Sequence, residues 1–144
     1  MEETLVGDRL IRTVAAVIAD ERGRVLLVRK CASAFFIQPG GKRESGEDSL
    51  TTLARELREE IGVNFDPARA VLLGEFEAQA VHEPGRRVRA EAFVVAIEGE
   101  PRAAAEIEEL AWVDPDDPGN LNVAPLSRRH ILPAFLGRRE TDAV

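Results

Sequence analysis

The stretch "GGKRESGEDSLTTLARELREEIGV", residues 40–63, decides the fold of this chain. From about Asp48 to Ile61 its apolar residues recur at helical spacing, and Gly62 is a typical helix stop. The sequence therefore predicts an amphipathic helix with a buried stripe roughly 100° wide. The apolar residues of that stripe are Leu50, Leu53, Ala54, Leu57 and Ile61.

Another side of the predicted helix is strongly acidic. Glu56, Glu59 and Glu60 are spaced as i, i+3 and i+4, and no Lys or Arg stands four residues beyond Glu59 or Glu60. Like charges at this spacing cost an isolated helix about 0.2–0.5 kcal/mol per pair. One interpretation is a solvated acidic surface. The other is a bound cation, because carboxylates that converge beside a helix suit Mg²⁺ or Mn²⁺, which take phosphate oxygens as further ligands.

The composition limits the other possibilities. With 144 residues, 44% hydrophobic and 31% charged, the chain fits one globular domain over residues 1–144. No apolar run reaches about 18 residues, and "MEETLVGDRLIRT" lacks the order of a signal peptide, so we expect a cytoplasmic protein without a membrane partner. A single cysteine and two histidines leave no disulfide framework or zinc cluster, and a net charge of -7 argues against a general nucleic-acid-binding surface. Neither a monomer nor a dimer is favoured.

The remaining apolar runs predict a mixed β-sheet flanked by helices, which is the α/β class. We expect a tight turn between the first two strands, and a loop from Pro39 onward. Pro125 should lie in the first turn of a terminal helix and Pro133 near its end. The predicted strands cover residues 13–20, 24–30, 34–38, 70–80, 89–97 and 109–114, and the terminal helix covers 123–135.

The acidic stretch also fits a longer pattern, G-x5-E-x7-R-E-U-x-E-E-x-G-U with U aliphatic, at every position from Gly41 to Val63. From composition alone, the chance of this match anywhere in the chain is on the order of 10⁻⁵. The pattern resembles the Nudix box, the signature of the Nudix hydrolases, and the preceding "PGGK" is similar to the MutT branch. The resemblance implies an α/β/α sandwich with a mixed sheet between helices.

The same resemblance implies an activity. Nudix hydrolases cleave a nucleoside diphosphate linked to another moiety and require Mg²⁺, for which Mn²⁺ can substitute. The expected partner is therefore a small-molecule nucleotide. A plain or modified nucleoside triphosphate, cleaved to a monophosphate and pyrophosphate, is the favoured substrate.

The resemblance also assigns roles to residues. It implies that Glu56, Glu59 and Glu60 are catalytic metal ligands, one of which can instead orient the attacking water. It implies that the Gly40 carbonyl is a further metal ligand, the alternative being a glycine needed only for the turn. Two other positions in the box, Glu47 and Arg55, match an ion pair that supports the ligands.

Three more candidates lie outside the box. Glu106, six residues before Trp112, resembles the loop glutamate that supplies a metal ligand or general base, with Glu108 and Glu109 as rivals. Lys30 resembles a phosphate contact and Asn122 a base-binding asparagine. Their alternatives are a surface lysine and a helix N-cap.

Other functions stay open at this point. A nucleotide-sugar or dinucleoside-polyphosphate hydrolase is disfavoured because Ala78 and Gln79 stand where ADP-ribose-hydrolysing relatives tend to carry proline, and because the chain has no tyrosine. A non-catalytic Nudix-fold ligand-binding module commonly loses box glutamates, which this chain keeps. An isomerase would need additional catalytic residues.

The remaining histidines and a basic cluster are interpreted as surface features. His82 and His130 are most simply exposed or partly buried. The arginines of the cluster lie at the tip of a predicted hairpin, where they are solvated or, alternatively, contact substrate phosphates: Arg86, Arg87 and Arg89.

Overall fold

The computed structural model describes residues 10–143. Met1–Arg9, on which the expectation of no signal peptide mostly rests, lie outside the described residues. Within residues 10–143, nine strands form the sheets: β1 Leu10–Val17, β2 Val25–Lys30, β3 Phe36–Ile37, β4 Gly40–Lys42, β5 Asn64–Phe65, β6 Val71–Gln79, β7 Arg87–Val94, β8 Ile97–Glu98 and β9 Ile107–Val113. The helices are α1 Ser49–Ile61 and α2 Leu132–Ala143, with a 3₁₀ turn at Pro67–Arg69 and a π-helix at Leu126–Ile131. No helix within the described range is long and apolar enough to span a membrane.

The predicted mixed sheet is confirmed. Strands are ordered β4-β1-β7-β6 in the largest sheet, where β1 runs parallel to β7 and antiparallel to β4. A second sheet has the order β3-β2-β9, and β5 pairs with β8. The β6–β7 hairpin that was predicted around the basic cluster is present.

Helical layers cover both faces of the largest sheet, and alternate side chains of β1 pack against each layer. Val14 and Ala16 pack on the side of α1, together with Leu53, Leu57 and Ile61. The next residues along β1, Ala15 and Val17, pack on the opposite side with Ile131, Leu132 and Phe135. Side chains of a strand point alternately to its two faces, so a single apolar strand serves both layers. This arrangement is the expected α/β/α sandwich.

Helix α1 begins and ends where the sequence predicts. The Asp48 carboxylate accepts a hydrogen bond from the Thr51 N–H at 2.8 Å and so caps the first turn. Gly62 ends the helix at φ 70°, a left-handed conformation that glycine adopts without steric cost.

One expectation is corrected: Gly40 and Gly41 were predicted to lie in a loop, but Gly40–Lys42 pairs with β1 as a short strand. The tight turn predicted between the first two strands is confirmed. The two strands meet at one bridge, Ala19 to Val25, and then enter different sheets.

The terminal helix also differs from its predicted bounds. It begins after Pro125 and continues well past Pro133, to Ala143. Proline has no N–H to donate within a helix. The π-helix that precedes it places the Leu132 N–H on the Ser127 carbonyl, which is five residues back. This local widening allows the helical path to continue through the proline.

The cap of α1 generates the first prediction. Asp48→Ala should lower the melting temperature by on the order of a few degrees, because the Thr51 N–H loses its acceptor. Asp48→Asn keeps a side-chain oxygen at the same position and should melt close to the parent. Thermal unfolding followed by circular dichroism measures both, and equal losses in the two variants would show that the cap is not the cause.

Candidate active site

The acidic side of α1 faces the glycine strand β4. Glu60 is only 2% exposed and accepts a hydrogen bond from the Gly40 N–H at 3.0 Å. A Cβ atom at Gly41 would lie 2.5 Å from the Glu56 carboxyl carbon. A side chain at Gly41 would therefore displace the Glu56 carboxylate, because the strand passes directly against it. Glu59, by contrast, has a side chain that is 55% exposed.

Burial governs the protonation of this side of the helix. It raises the pKa of Glu60 to about 8, with the neighbouring charges of Glu56 and Glu106 acting in the same direction and the Gly40 hydrogen bond opposing them. The pKa of Glu56 is also raised, mainly by burial, against the lowering effect of Arg55. Two desolvated carboxyl groups that repel one another are a chemical environment suited to a cation.

The candidate metal ligands suit a hard divalent ion, although their oxygen atoms do not meet at one point in this arrangement. Glu56, Glu59, Glu60 and the Gly40 carbonyl offer only oxygen atoms, as Mg²⁺ prefers. Among the described side chains, no three His, Cys, Asp or Glu residues stand in a group that could hold a metal ion. The expected convergence of the three carboxylates is therefore not seen in this arrangement, in which Arg55 engages Glu56 at 3.0 Å and Glu59 at 3.7 Å.

Arg55 also offsets part of the repulsion between the glutamates of α1, because it contacts Glu56 and Glu59. It forms a two-pronged ion pair with Glu47, with Nε to Oε2 and Nη2 to Oε1 both 2.9 Å. Glu47 further accepts hydrogen bonds from the Thr52 hydroxyl at 2.8 Å and the Glu44 N–H at 3.1 Å. These contacts, with Arg55 foremost, lower the pKa of Glu47 to about 2. The predicted ion pair is present, and it joins the loop before α1 to the helix.

A cleft of about 460 Å³ opens beside these residues. Glu56, Gly40 and Gly41 line it together with Lys30 and Glu106, which are paired at 3.2 Å. The structure thus brings two further predicted residues to the same cleft.

The two rivals of Glu106 point elsewhere. Glu108 accepts a hydrogen bond from the Cys31 thiol at 3.3 Å, and Glu109 pairs with Arg29 at 3.1 Å. Neither lines the cleft. Of the three glutamates considered from the sequence, Glu106 is the one placed beside the acidic helix.

Asn122 is not brought into the cleft. It is exposed, and its side-chain amide donates to the Ala34 carbonyl at 3.2 Å. The following residue, Val123, forms a parallel bridge with Phe36 and is buried, so Asn122 points the other way. The alternative N-cap role is also absent, since the terminal helix is capped at Pro125.

The β6–β7 loop supplies a wall of the cleft that the sequence did not reveal. His82 contacts the Ser33 hydroxyl at 2.7 Å, and Glu83 pairs with Lys42 at 3.1 Å. Burial, followed by the charge of Lys30, lowers the pKa of His82. No spacing in the sequence relates these residues to the box, because the contacts join segments about 40 to 50 residues apart.

The arginines of the basic cluster on this hairpin form ion pairs with neighbouring glutamates. Arg87 and Arg89 both bind Glu77, at 2.7 and 3.0 Å, and Arg86 binds Glu83 at 2.5 Å. These pairs favour the surface interpretation over the phosphate contact. His130 is exposed on the π-helix.

The fold and the site together define a protein that places clustered carboxylates beside a glycine-rich strand. The family model described as the NUDIX domain matches residues 9–135. The chain therefore belongs to the Nudix family, and it is a hydrolase of the MutT-like kind.

Individual relatives agree with this assignment. The chain is 30% identical over 136 residues to the CTP pyrophosphohydrolase of Escherichia coli K12, covering 91% of this chain and 95% of that protein. It is 37% identical over 59 residues to the 8-oxo-dGTP diphosphatase of Haemophilus influenzae, covering 38% and 43% of the two chains. A crystal structure of a MutT Nudix hydrolase from Burkholderia pseudomallei superposes with a TM-score of 0.72 at 26% identity, covering 87% of this chain and 97% of that chain.

The Glu47–Arg55 pair generates a prediction about pH. The folded pKa of Glu47, about 2, lies below its ordinary 4.5, so the ionised pair stabilises the fold above pH 4.5 and this contribution is lost as the pH falls toward 2. Glu47→Gln should therefore melt below the parent at pH 7, and the difference should shrink steadily below pH 4.5. Glu21→Gln, on an exposed turn, is the matched control. A pH-independent difference for Glu47→Gln would contradict the assignment.

Proposed function

We propose that this protein hydrolyses a nucleoside triphosphate to a monophosphate and pyrophosphate, and that it requires Mg²⁺, with Mn²⁺ as a substitute. The observation that carries the proposal is the pair of carboxyl groups on α1 that pack against the glycine strand: the buried Glu60, on the Gly40 N–H, and Glu56, which lies against Gly41 and lines the cleft. Such a pair favours a hard cation. The cation in turn favours a substrate that brings further oxygen ligands, as a polyphosphate does.

The chain's own residues have distinct tasks in this proposal. Glu56, Glu59, Glu60 and the Gly40 carbonyl hold the cation, and the exposed Glu59 has the freedom to turn toward it. When bound, the cation neutralises charge that develops on the phosphorus and on the leaving oxygen.

In the same cleft, the Lys30 ammonium binds a phosphate oxygen. Its departure from Glu106, to which it is bound at 3.2 Å, leaves that carboxylate able to accept a proton from the attacking water.

The choice of a triphosphate rests on two observations. The relative that aligns over most of both chains is named a CTP pyrophosphohydrolase, and a shorter match is named an 8-oxo-dGTP diphosphatase. The markers of nucleotide-sugar and dinucleoside-polyphosphate hydrolases are missing from the sequence, which has no tyrosine.

The reaction is tested by incubating the protein with the common nucleoside triphosphates, 8-oxo-dGTP and nucleotide sugars at millimolar Mg²⁺. We expect a nucleoside monophosphate and pyrophosphate, identified by mass, and no turnover in excess chelator. Release of single phosphates, or full turnover in chelator, would contradict the proposal. Metal-dependent nucleotide binding without hydrolysis would instead indicate a ligand-binding module.

Replacing single glutamates by glutamine distinguishes a residue of the proposed active site from one on the exposed surface. Glu60→Gln should lose several orders of magnitude in rate, because an amide cannot supply an anionic ligand. Its metal-free melting temperature at pH 7 should not fall, because the raised pKa of about 8 keeps the buried Glu60 mostly neutral there and the amide oxygen can still accept from the Gly40 N–H. Glu21→Gln makes the same chemical change on an exposed turn and should keep the parental rate.

The ion pair of Arg55 with Glu47 leads to a separate prediction about the turnover number. Arg55→Ala should lower the turnover number about 10²-fold at saturating Mg²⁺, since misplacing a ligand by roughly 1 Å costs that much. Arg55→Lys should recover only part of this, because an ammonium cannot reproduce the two-pronged contact with Glu47.

A double variant tests whether the pair acts as a unit. Glu47→Gln combined with Arg55→Ala should be hardly slower than the slower single variant, because residues with a shared role are non-additive. Losses that multiply in full would show that the two residues act independently.

A further inference from the structure

Both lysines that line the cleft are paired with carboxylates. Lys30 binds Glu106 at 3.2 Å, and Lys42 binds Glu83 at 3.1 Å. Lys42 lies on β4, two residues beyond Gly40, whereas Glu83 belongs to the loop between β6 and β7. Both Lys42 and Glu83 line the cleft. A carboxylate from a distant loop therefore binds an ammonium group that an anionic ligand in the cleft would otherwise meet.

The contact between Lys42 and Glu83 is one that a ligand can break. The Lys42 side chain is 63% exposed and that of Glu83 is 31% exposed. Ion pairs with this much exposure contribute little to stability, because water and salt screen them. Among the described residues, Glu83 is the one partner of the Lys42 ammonium. A phosphate oxygen that binds Lys42 therefore has to displace a single carboxylate from it.

Glu83 keeps a second cation when Lys42 leaves. The Arg86 guanidinium, three residues further along the same loop, also binds the Glu83 carboxylate. The Arg86 N–H in addition donates to the Glu83 carbonyl at 3.1 Å, which holds the two residues together. Removing the partner of a partly buried charge is costly when that charge is left unpaired. Because Arg86 stays, transfer of Lys42 from Glu83 to a phosphate avoids this cost.

The residue before Glu83 has an anchor of its own. His82 Nε2 lies 2.7 Å from the Ser33 hydroxyl oxygen, and the Ser33 N–H donates to the Lys30 carbonyl at 3.0 Å. This contact does not involve Lys42. The loop consequently stays attached beside the cleft when Lys42 is released, and the Glu83 carboxylate remains near enough to bind Lys42 again.

We propose that Glu83 is an internal competitor of the substrate: it holds Lys42 in the ligand-free protein, and a phosphate group of the bound nucleotide takes its place. This inference rests on the proposed function, since it needs a polyphosphate beside the glycine strand. The ligand class is an anion with more charge than one carboxylate, such as a triphosphate. After hydrolysis Glu83 binds Lys42 again, which favours departure of the products. Glu83 is thus a positioning residue, because it acts through Lys42 and does not touch the reacting atoms.

The test compares the parent with Glu83→Gln, Lys42→Met and the double variant. The substrate is the triphosphate that the parent hydrolyses fastest, at saturating Mg²⁺. Glu83→Gln should lower KM by about 2- to 5-fold without raising kcat, because Lys42 no longer has to leave a carboxylate. Lys42→Met should raise KM, and adding Glu83→Gln to it should change KM no further, because the two residues act through one contact.

Three results would overturn the proposal. The first is a KM that Glu83→Gln leaves unchanged or raises. The second is a KM that Glu83→Gln lowers equally with and without Lys42. The third is an unchanged KM in Lys42→Met, which would show that Lys42 does not bind the substrate.

Glu75→Gln is the matched control for charge. Glu75 is exposed on β6 of the same hairpin and does not line the cleft. Either glutamine variant makes the protein less negative by one charge, and this alone weakens the repulsion of a polyphosphate. A decrease in KM that exceeds that of Glu75→Gln supports the proposal, and equal decreases in the two variants overturn it.

Failure of the proposed reaction is distinguishable from failure of this inference. If no triphosphate is hydrolysed, the proposed function is wrong, and binding of inorganic tripolyphosphate with Mg²⁺ is measured by calorimetry on the same proteins. Binding that Glu83→Gln tightens about 2- to 5-fold, and only when Lys42 is present, supports the competition. Equal affinities of the parent and Glu83→Gln overturn it.

Discussion

The ion pair between Arg55 and Glu47 is the constraint on which the acidic end of this protein depends. One guanidinium contacts four carboxylates: two-pronged to Glu47, directly to Glu56, and at longer range to Glu59 and Glu44. It therefore places positive charge beside two of the three glutamates on the acidic side of α1, Glu56 and Glu59. Because Glu47 precedes the helix and Arg55 lies within it, the same contact also fixes the loop against the helix.

The glycine strand imposes a steric condition on the same site. A Cβ at Gly40 would lie 2.0 Å from the Val14 carbonyl oxygen, and a Cβ at Gly41 would lie among the atoms of the Glu56 carboxylate. Both clashes involve groups that are held by other contacts, namely the β1 backbone and the Arg55 pair. The bare backbone is what allows the Gly40 N–H to reach Glu60. Gly40 and Gly41 thus lie where the backbone must both avoid steric clashes and approach the α1 carboxylates.

The parts of the fold that were predicted correctly are those with local signals. Helix α1 has apolar periodicity, an N-cap and a C-terminal glycine within one stretch, so its bounds follow from the sequence alone. Strand β4 was missed because two glycines and a lysine have little strand propensity, and its pairing with β1 depends on tertiary contact. The terminal helix was misplaced because the π-helix that accommodates Pro133 has no recognisable sequence pattern. Asn122 was predicted to be a base-binding residue, but its amide donates to the Ala34 carbonyl and it does not line the cleft.

The residues that line the cleft differ in how well the sequence predicts their position. The glycines of β4 and the glutamates of α1 lie within residues 40–60, so fixed spacings define them and a short pattern identifies them, whereas Lys30 and Glu106 join them from distant segments. The remaining lining includes β1, Gln38 and the segment that leads into the terminal helix, which are separated by about 90 residues of chain and meet only in the folded molecule. A motif therefore identifies the glutamates of the site, whereas the shape of the cleft around them depends on tertiary contacts that no spacing in the chain reveals.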